Sequence, residues 1–369
     1  MPGMWDTHVH YFGITSSLLD DMLTVSQPLA GARLARDVAA TLNAGVTSVR
    51  ELGGYGVEIA KAIQEGSIPG PTIYSSVSLL SQTAGHGDLH SHSSETVTHA
   101  TQHGLPVYVC DGVDQCVKAV RMQIRRGAKV IKICATGGAT SLIDDVQQAQ
   151  FSHAELSAIV EEAGKADRIV AAHCHGKKGI IAALMAGCKT IEHGSFLDEE
   201  CVSLMLEKDA ILVSTRYAID FAWRHADGLN ADVAAKLQII GEANKRSCDL
   251  AVRSGVRMAL GTDLGVINGP NLDHCHGMNA EEFIYAVQAG MSPLRAIEAG
   301  TANAPATLGP QAPLSGQIKI GYDADLIALS KSPLEDINVL ARIDNISHVW
   351  KAGNLFKAPN KILSLLTRG

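Results

Sequence analysis

Short β-rich runs recur along the chain between Met4 and about Leu264, each separated from the next by a loop and a stretch of helical period. They lie at Met4–His10, Val46–Arg50, Thr72–Ser76, Val130–Cys134, Ile169–His173, Thr190–His193, Ile211–Thr215 and Met258–Asp263. Helical patterns between them end in glycine at Gly45, Gly66, Gly127 and Gly187, and another opens on Ser152 with Glu155 three residues on, a capping box. Helix, glycine, buried strand is the punctuation of a βα repeat. Eight such units in roughly 260 residues predict an α/β fold of the (β/α)8 TIM-barrel type, whose usual size is about 250. A doubly wound open sheet is the alternative, but it does not bring eight strand ends round one centre.

The character changes after the barrel. Helical patterns at Ala280–Gln288 and Pro293–Thr301 are followed by strand-like stretches at Gly316–Leu329 and Ile346–Phe356. The expected division is a barrel over residues 1–310 and, over 311–369, strands of a small β-sandwich. That sandwich is expected to be incomplete. Met1-Pro2-Gly3 runs straight into the first barrel strand, and two strands alone are marginal in water. An exposed sheet edge, a homo-oligomer and a gain in stability from any upstream strands are therefore expected.

Composition limits the function. Of 369 residues, 46% are hydrophobic and 19% charged, as in a globular enzyme with a sizeable core. The net charge of -7 leaves no basic stripe for nucleic acid. No apolar run reaches the roughly 18 residues of a membrane span. The eight cysteines are scattered without a C-x-x-C pair, and Cys134, Cys174 and Cys188 sit in or beside apolar stretches. They read as small core residues of a protein from a reducing compartment such as the cytoplasm. The absence of a signal peptide adds nothing if a segment once preceded Met1.

In such barrels the chemistry sits at the C-terminal ends of the strands. Reading only those positions yields His8 and His10 on the first strand, Lys132 on the fourth, His173 on the fifth, His193 on the sixth and Asp263 on the eighth. Residues two apart on a strand share a face, so His8 and His10 can close on one cation. Lys132 is the most telling. Lysine is rarely buried unless paired, yet it stands among Val130, Ile131, Ile133 and Cys134. A bare ammonium would repel dications, whereas the same side chain carboxylated on its nitrogen is an anion able to bridge two of them.

These positions resemble the metal-dependent amidohydrolase superfamily across essentially the whole chain. Its signatures appear as Pro2-Gly3-Met4-Trp5-Asp6-Thr7-His8-Val9-His10, Gly45-Val46-Thr47-Ser48-Val49-Arg50-Glu51, the Lys132 strand, His173, Glu192-His193 and Gly261-Thr262-Asp263. Three further segments, Ser81–Asp88, Gln123–Lys132 and Ala302–Pro305, resemble the branch of Xaa-Pro dipeptidases and ochratoxin-hydrolysing carboxypeptidases. The resemblance implies one metal on His8, His10 and Asp263, a second on His173 and His193, and carboxylated Lys132 between them. It implies two divalent ions, zinc by default, with manganese or cobalt fitting the same ligands. Asp263 would take a proton from water and deliver it to the leaving nitrogen.

Other residues at the strand ends suit the substrate. His86, in a glycine-flanked loop, could donate to the carbonyl oxygen. His175 follows His173 on the same face, and Arg216 and Tyr217, read as ending the seventh strand, could clamp a carboxylate. His90, His92, His99 and His103 read as solvated. The expected partner is a small molecule carrying an amide and a carboxylate, cut as by a dipeptidase or carboxypeptidase. A deaminase or imidazolone-ring hydrolase is the enzyme alternative. Deaminases of this superfamily often lack the lysine and place glutamate where Gly176 stands. A metal-free structural relative would have lost ligands that this chain keeps.

Overall fold

The computed structural model describes residues 1–16, 18–226, 231–265 and 275–359. The chain runs β1 (Met4–Tyr11), α1 (Gln27–Asn43), β2 (Val46–Gly54), α2 (Gly56–Gln64), β3 (Thr72–Ser75), β4 (Leu79–Ser81), α3 (Ser94–Gln102) and β5 (Val107–Val109). It continues through α4 (Val113–Arg126), β6 (Ile131–Cys134), α5 (His153–Gly164), β7 (Val170–Cys174), α6 (Lys177–Ala186), β8 (Thr190–His193), α7 (Glu199–Glu207) and β9 (Ile211–Val213). Then come α8 (Arg216–Arg224), α9 (Ala231–Arg253), β10 (Arg257–Met258), α10 (Glu281–Gln288), α11 (Pro293–Ala299), β11 (Leu326–Leu329), β12 (Ile346–Lys351) and β13 (Asn354–Lys357).

The repeat read from the sequence is the barrel. Parallel pairing runs β1-β2-β3 and β10-β9-β8-β7-β6-β4-β5. The third barrel position is split by Val77, whose φ of 72° kinks the chain. On one side of the kink β3 pairs with β2, and on the other Leu79 of β4 pairs with Lys132 of β6. Round the other side, Thr7 N–H donates to Leu260 O at 2.9 Å and His10 N–H to Leu264 O at 2.8 Å. The strands therefore run round one centre. Gly127 and Gly187 end α4 and α6 at φ 108° and 101°, the left-handed C-cap expected of them. The Ser152–Glu155 capping box is present.

Helices α8 and α9 were not foreseen. They form an excursion between β9 and β10 and pack an apolar face of Ile219, Ala222, Val233, Leu237 and Ile240 over the barrel mouth with Phe12 and Leu19. Seven cysteines, Cys134, Cys174 and Cys188 among them, are buried core residues. Among the described residues no helix is long and apolar enough to cross a membrane.

The C-terminal strands find partners. β11, β12 and β13 form an antiparallel sheet. Met1–Gly3 take the open side of β11: Ile327 N–H donates to Met1 O at 3.0 Å and Gly3 N–H to Asp325 O at 2.8 Å. The sheet edge expected to be exposed is thus covered at β11 by Met1–Gly3. The long stretch 316–329 is strand only over its last residues, and 346–356 folds back as a hairpin. Ile327, Ile346 and Val349 join Met4 and Val46 in the main core, so this sheet is packed on the barrel.

Candidate metal and active site

The six strand-end residues converge. His8, His10 and Asp263 form one group whose ligand atoms lie within 4.8 Å of one another, and His173, His175 and His193 form another. Lys132 stands between them, its Nζ 3.4 Å from His8 Nε2. The geometry adds His175 to the second group, where the sequence reading had it touching substrate. All seven side chains line one cavity with His86.

Backbone strain turns some of these side chains inward. His193, Thr215 and Asp263 all have φ between 47° and 69°, a region costly for residues other than glycine. His193 ends β8, Thr215 follows β9 closely and Asp263 lies in the loop that continues from β10, so strict side-chain alternation stops where the site begins.

Each imidazole is oriented by one ring nitrogen, leaving the other for a ligand. His8 Nδ1 donates to Glu192 Oε2 at 2.8 Å and His10 Nδ1 to Gly53 O at 2.9 Å. His193 Nδ1 lies 2.7 Å from Thr215 Oγ1, His175 Nδ1 2.8 Å from Ser195 Oγ, and His173 Nε2 3.2 Å from Gly137 O. This outer hydrogen bonding is what fixes tautomers in metal centres. His10 Nε2 is 3.1 Å from Asp263 Oδ1.

Electrostatics suit a cation. Burial, reinforced by Lys132, pulls His8 down to about 4, and burial takes His175 to about 3. His173 and His193 fall well below the ordinary range for the same first reason. Neutral imidazole is the ligating form. Burial pushes Asp263 up, but the His8 and His10 rings outweigh it and hold the carboxyl at about 2. Burial also lowers the Lys132 ammonium, outweighing the nearby Glu192 and Asp263 carboxylates, and its Nζ contacts the His8 imidazole. A cluster of imidazoles, one carboxylate and a lysine of lowered basicity is a donor set that fits divalent cations.

Several supporting residues had no role assigned from the sequence. Arg50 Nη2 reaches Glu192 at 2.8 and 2.9 Å, and both side chains are fully buried. Glu192 in turn holds His8. Asp6 accepts from Thr262 Oγ1 at 2.6 Å, Thr262 N–H at 3.0 Å and Asn279 Nδ2 at 2.8 Å, tying β1 to the segment that carries Asp263. The available signals were charge inside apolar strands and, for Asp6, the face it shares with His8 and His10. Substituting Arg50 by methionine is expected to cost about 3–5 kcal/mol, since buried Glu192 loses its one cationic partner and keeps only the neutral donors His8 and Thr190. Urea melts of the variant measure this, and a loss below about 1 kcal/mol would show that the pair carries little.

Arg216 and Tyr217 do not end a strand. They open α8, and their backbone N–H groups donate to Glu282 at 2.9 and 2.8 Å. Arg216 Nη2 pairs with Asp220 at 3.1 Å, and neither residue lines the cavity, although Ala218 and Ile219 do. His99 and His103 are exposed, but His90 is half-buried and its ring nitrogens are buried without a partner among the described residues.

Residues 1–356 match the Amidohydrolase family. The chain belongs to that family. This amidohydrolase is 47% identical over 372 residues to ochratoxinase of Aspergillus niger, covering 97% of this chain and 76% of that protein. The crystal structure of A. niger ochratoxinase superposes with a TM-score of 0.89 at 46% identity, covering 98% of this chain and 83% of that one. A Xaa-Pro dipeptidase crystallised with methionine in its active site gives 0.86 at 32% identity, covering 97% and 86%. The chain is thus a hydrolase acting on amide bonds. Amidohydrolases are generally metal-dependent, and the two ligand groups could hold such ions.

Proposed function

We propose that this amidohydrolase cuts an amide bond beside a free carboxylate, using two divalent cations. The supporting observation is the placement of two ligand groups on either side of Lys132. His8, His10 and Asp263 would hold one ion, His173 and His193 the other, with carboxylated Lys132 shared. When bound, such ions polarise the scissile carbonyl and acidify water.

The chain's own residues do the rest. Asp263 accepts a proton from the attacking water at its carboxylate. It returns that proton to the leaving nitrogen as the C–N bond breaks, so an acid and an amine are released. The apolar wall of Phe12, Leu19, Ile219, Leu237 and Ile240 excludes water and takes the acyl group. His175 faces the substrate side of the second group. Arg216 opens the helix whose next turn, Ala218 and Ile219, lines the cavity, and among the described residues its buried Nη1 has no hydrogen-bond partner, the feature that favours a role in holding the substrate carboxylate with Tyr217.

The substrate class follows from that acid. N-acyl amino acids of the ochratoxin kind and dipeptides are the compounds to screen. Zinc is the ion to load first, given a His-rich site with carboxylates. The enzyme is proposed to work as a homo-oligomer in a reducing compartment. Amine release from such a panel, abolished by chelation and restored by zinc, is the expected result. Converting the free acid to its amide is expected to raise KM about tenfold or more, and Arg216→Ala to erase that preference. Equal rates on both forms in the native enzyme would remove the carboxylate from the substrate definition.

A further inference from the structure

Two polar residues, Asn244 and Ser247, interrupt the buried apolar stripe of α9 between Leu237 and Ala251. Buried polar side chains normally have partners, and here the partners are the segments that carry the second ligand group. Asn244 Nδ2 donates to His193 O at 2.9 Å and to Ser214 O at 3.1 Å. Ser247 Oγ lies 2.7 Å from Ser195 O, and the Ser195 hydroxyl lies 2.8 Å from His175 Nδ1. Two turns before Asn244, Lys236 Nζ fastens the same helix to the loop after β6. It lies 3.0 Å from Asp144 Oδ1, 2.8 Å from Ser141 O and 3.1 Å from Gly138 O.

The Asn244 amide has one orientation open to it. Both neighbours are backbone carbonyls, which only accept, so the NH₂ group faces them and uses both its hydrogens. Asn244 Oδ1 is buried without a hydrogen-bond partner among the described residues, so the amide is satisfied on its donor side alone. The two carbonyls sit at the strained positions of this side of the site. The His193 carbonyl lies between His193, at φ 69°, and Gly194, at φ 60°, and Ser214 O belongs to the peptide that enters Thr215, at φ 47°. Turning either carbonyl away from Asn244 changes those torsions. A β-branched residue in the left-handed region is costly and persists only where its surroundings hold it. Thr215 also carries the hydroxyl that lies 2.7 Å from His193 Nδ1. One buried amide thus fixes the backbone of His193 and the residue that orients its ring.

We propose that Asn244 is a positioning residue that holds His193 and Thr215 in their left-handed conformations and so keeps the second ligand group assembled before an ion arrives. The first group is braced from elsewhere, His8 by Glu192 and the Asp263 segment by Asp6, so the effect is confined to one group. The backbone role stands on this geometry alone, while its consequence for a second ion rests on the two-cation reading. Because Leu237 and Ile240 of the same helix line the cavity, α9 joins the apolar wall to the second ligand group in one element.

The test compares native protein with Asn244→Leu, which fills the same space without donors, in zinc-loaded and metal-free crystals and in competition with a chelator. In the metal-free variant His193 is expected to relax to a negative φ. The more weakly held of two zinc ions is expected to bind about 10- to 100-fold less tightly than in the native protein. Anomalous density should stay on His8, His10 and Asp263 and disappear from His173 and His193. If Asn244→Leu does not fold, Asn244→Ser, which keeps a single donor, is read in the same way with a smaller loss. A His193 φ still near 69° in the metal-free variant overturns the proposal. So does zinc held as tightly as in the native protein, or lost equally from both groups, the mark of a merely structural residue. A native protein that takes up fewer than two zinc ions overturns the two-cation reading instead, and a relaxed His193 in the metal-free variant then upholds the role of Asn244.

Discussion

Asp263→Asn is expected to lower kcat by about 10²–10⁴-fold while the protein stays folded. Among the described residues, this carboxylate is the one acidic group within reach of both His8 and His10, at 3.4 and 3.1 Å from their Nε2 atoms. Asparagine keeps an oxygen for coordination but cannot take up the proton of water or hand it to the leaving amine. Its backbone needs are modest, since asparagine is among the residues that tolerate the left-handed conformation found here, φ 64°. Melting temperature and metal content should therefore change little while turnover collapses. Steady-state amine release, read beside a thermal melt and metal analysis, decides the matter. Near-normal kcat would place the base elsewhere.

Lys132→Ala is the second large effect. Activity is expected to fall by at least about 10²-fold, and bound metal from two ions per chain to one or fewer. The Lys132 amine is buried between the two ligand groups and faces His8. Carboxylation forms a bond from Nζ to the carbon of CO₂ and releases one proton to solvent. The former cation would become an anion at the point where the two proposed dications would need one. Burial, which lowers the basicity of the ammonium, favours the free amine required for that step. Metal analysis of native and variant protein and a density map at Lys132 check this prediction. A bare ammonium in metal-replete, active enzyme would exclude the bridge.

The sequence reading and the structure part company at identifiable residues. The order of strands and helices was legible because each βα unit carries its own local signals. Gly127 and Gly187 have no Cβ to oppose a left-handed cap, and Ser152 with Glu155 closes a capping box within four residues. The split third strand was not legible. Its two halves are three or four residues long, and the kink at Val77 puts a β-branched residue where no turn signal appears. Nor were α8 and α9, whose apolar face looks like any core helix until the barrel mouth is there to receive it.

For the site, the sequence by itself determined the inner ring: His8, His10, Lys132, His173, His193 and Asp263 stand out because strand-end position and residue chemistry agree. Arg216 shows where such reading misplaces an element, though not the role proposed for its side chain. One helical turn at the end of β9 moved it from a strand end to a helix start beside Asp220. Only the tertiary structure decided what holds the ring in place. The Arg50–Glu192–His8 chain spans 142 residues between its first two members, and Lys236 reaches Asp144 across 92. Local pattern carries no record of such pairs, because side chains that far apart meet through the closure of the barrel and not through any period of helix or strand.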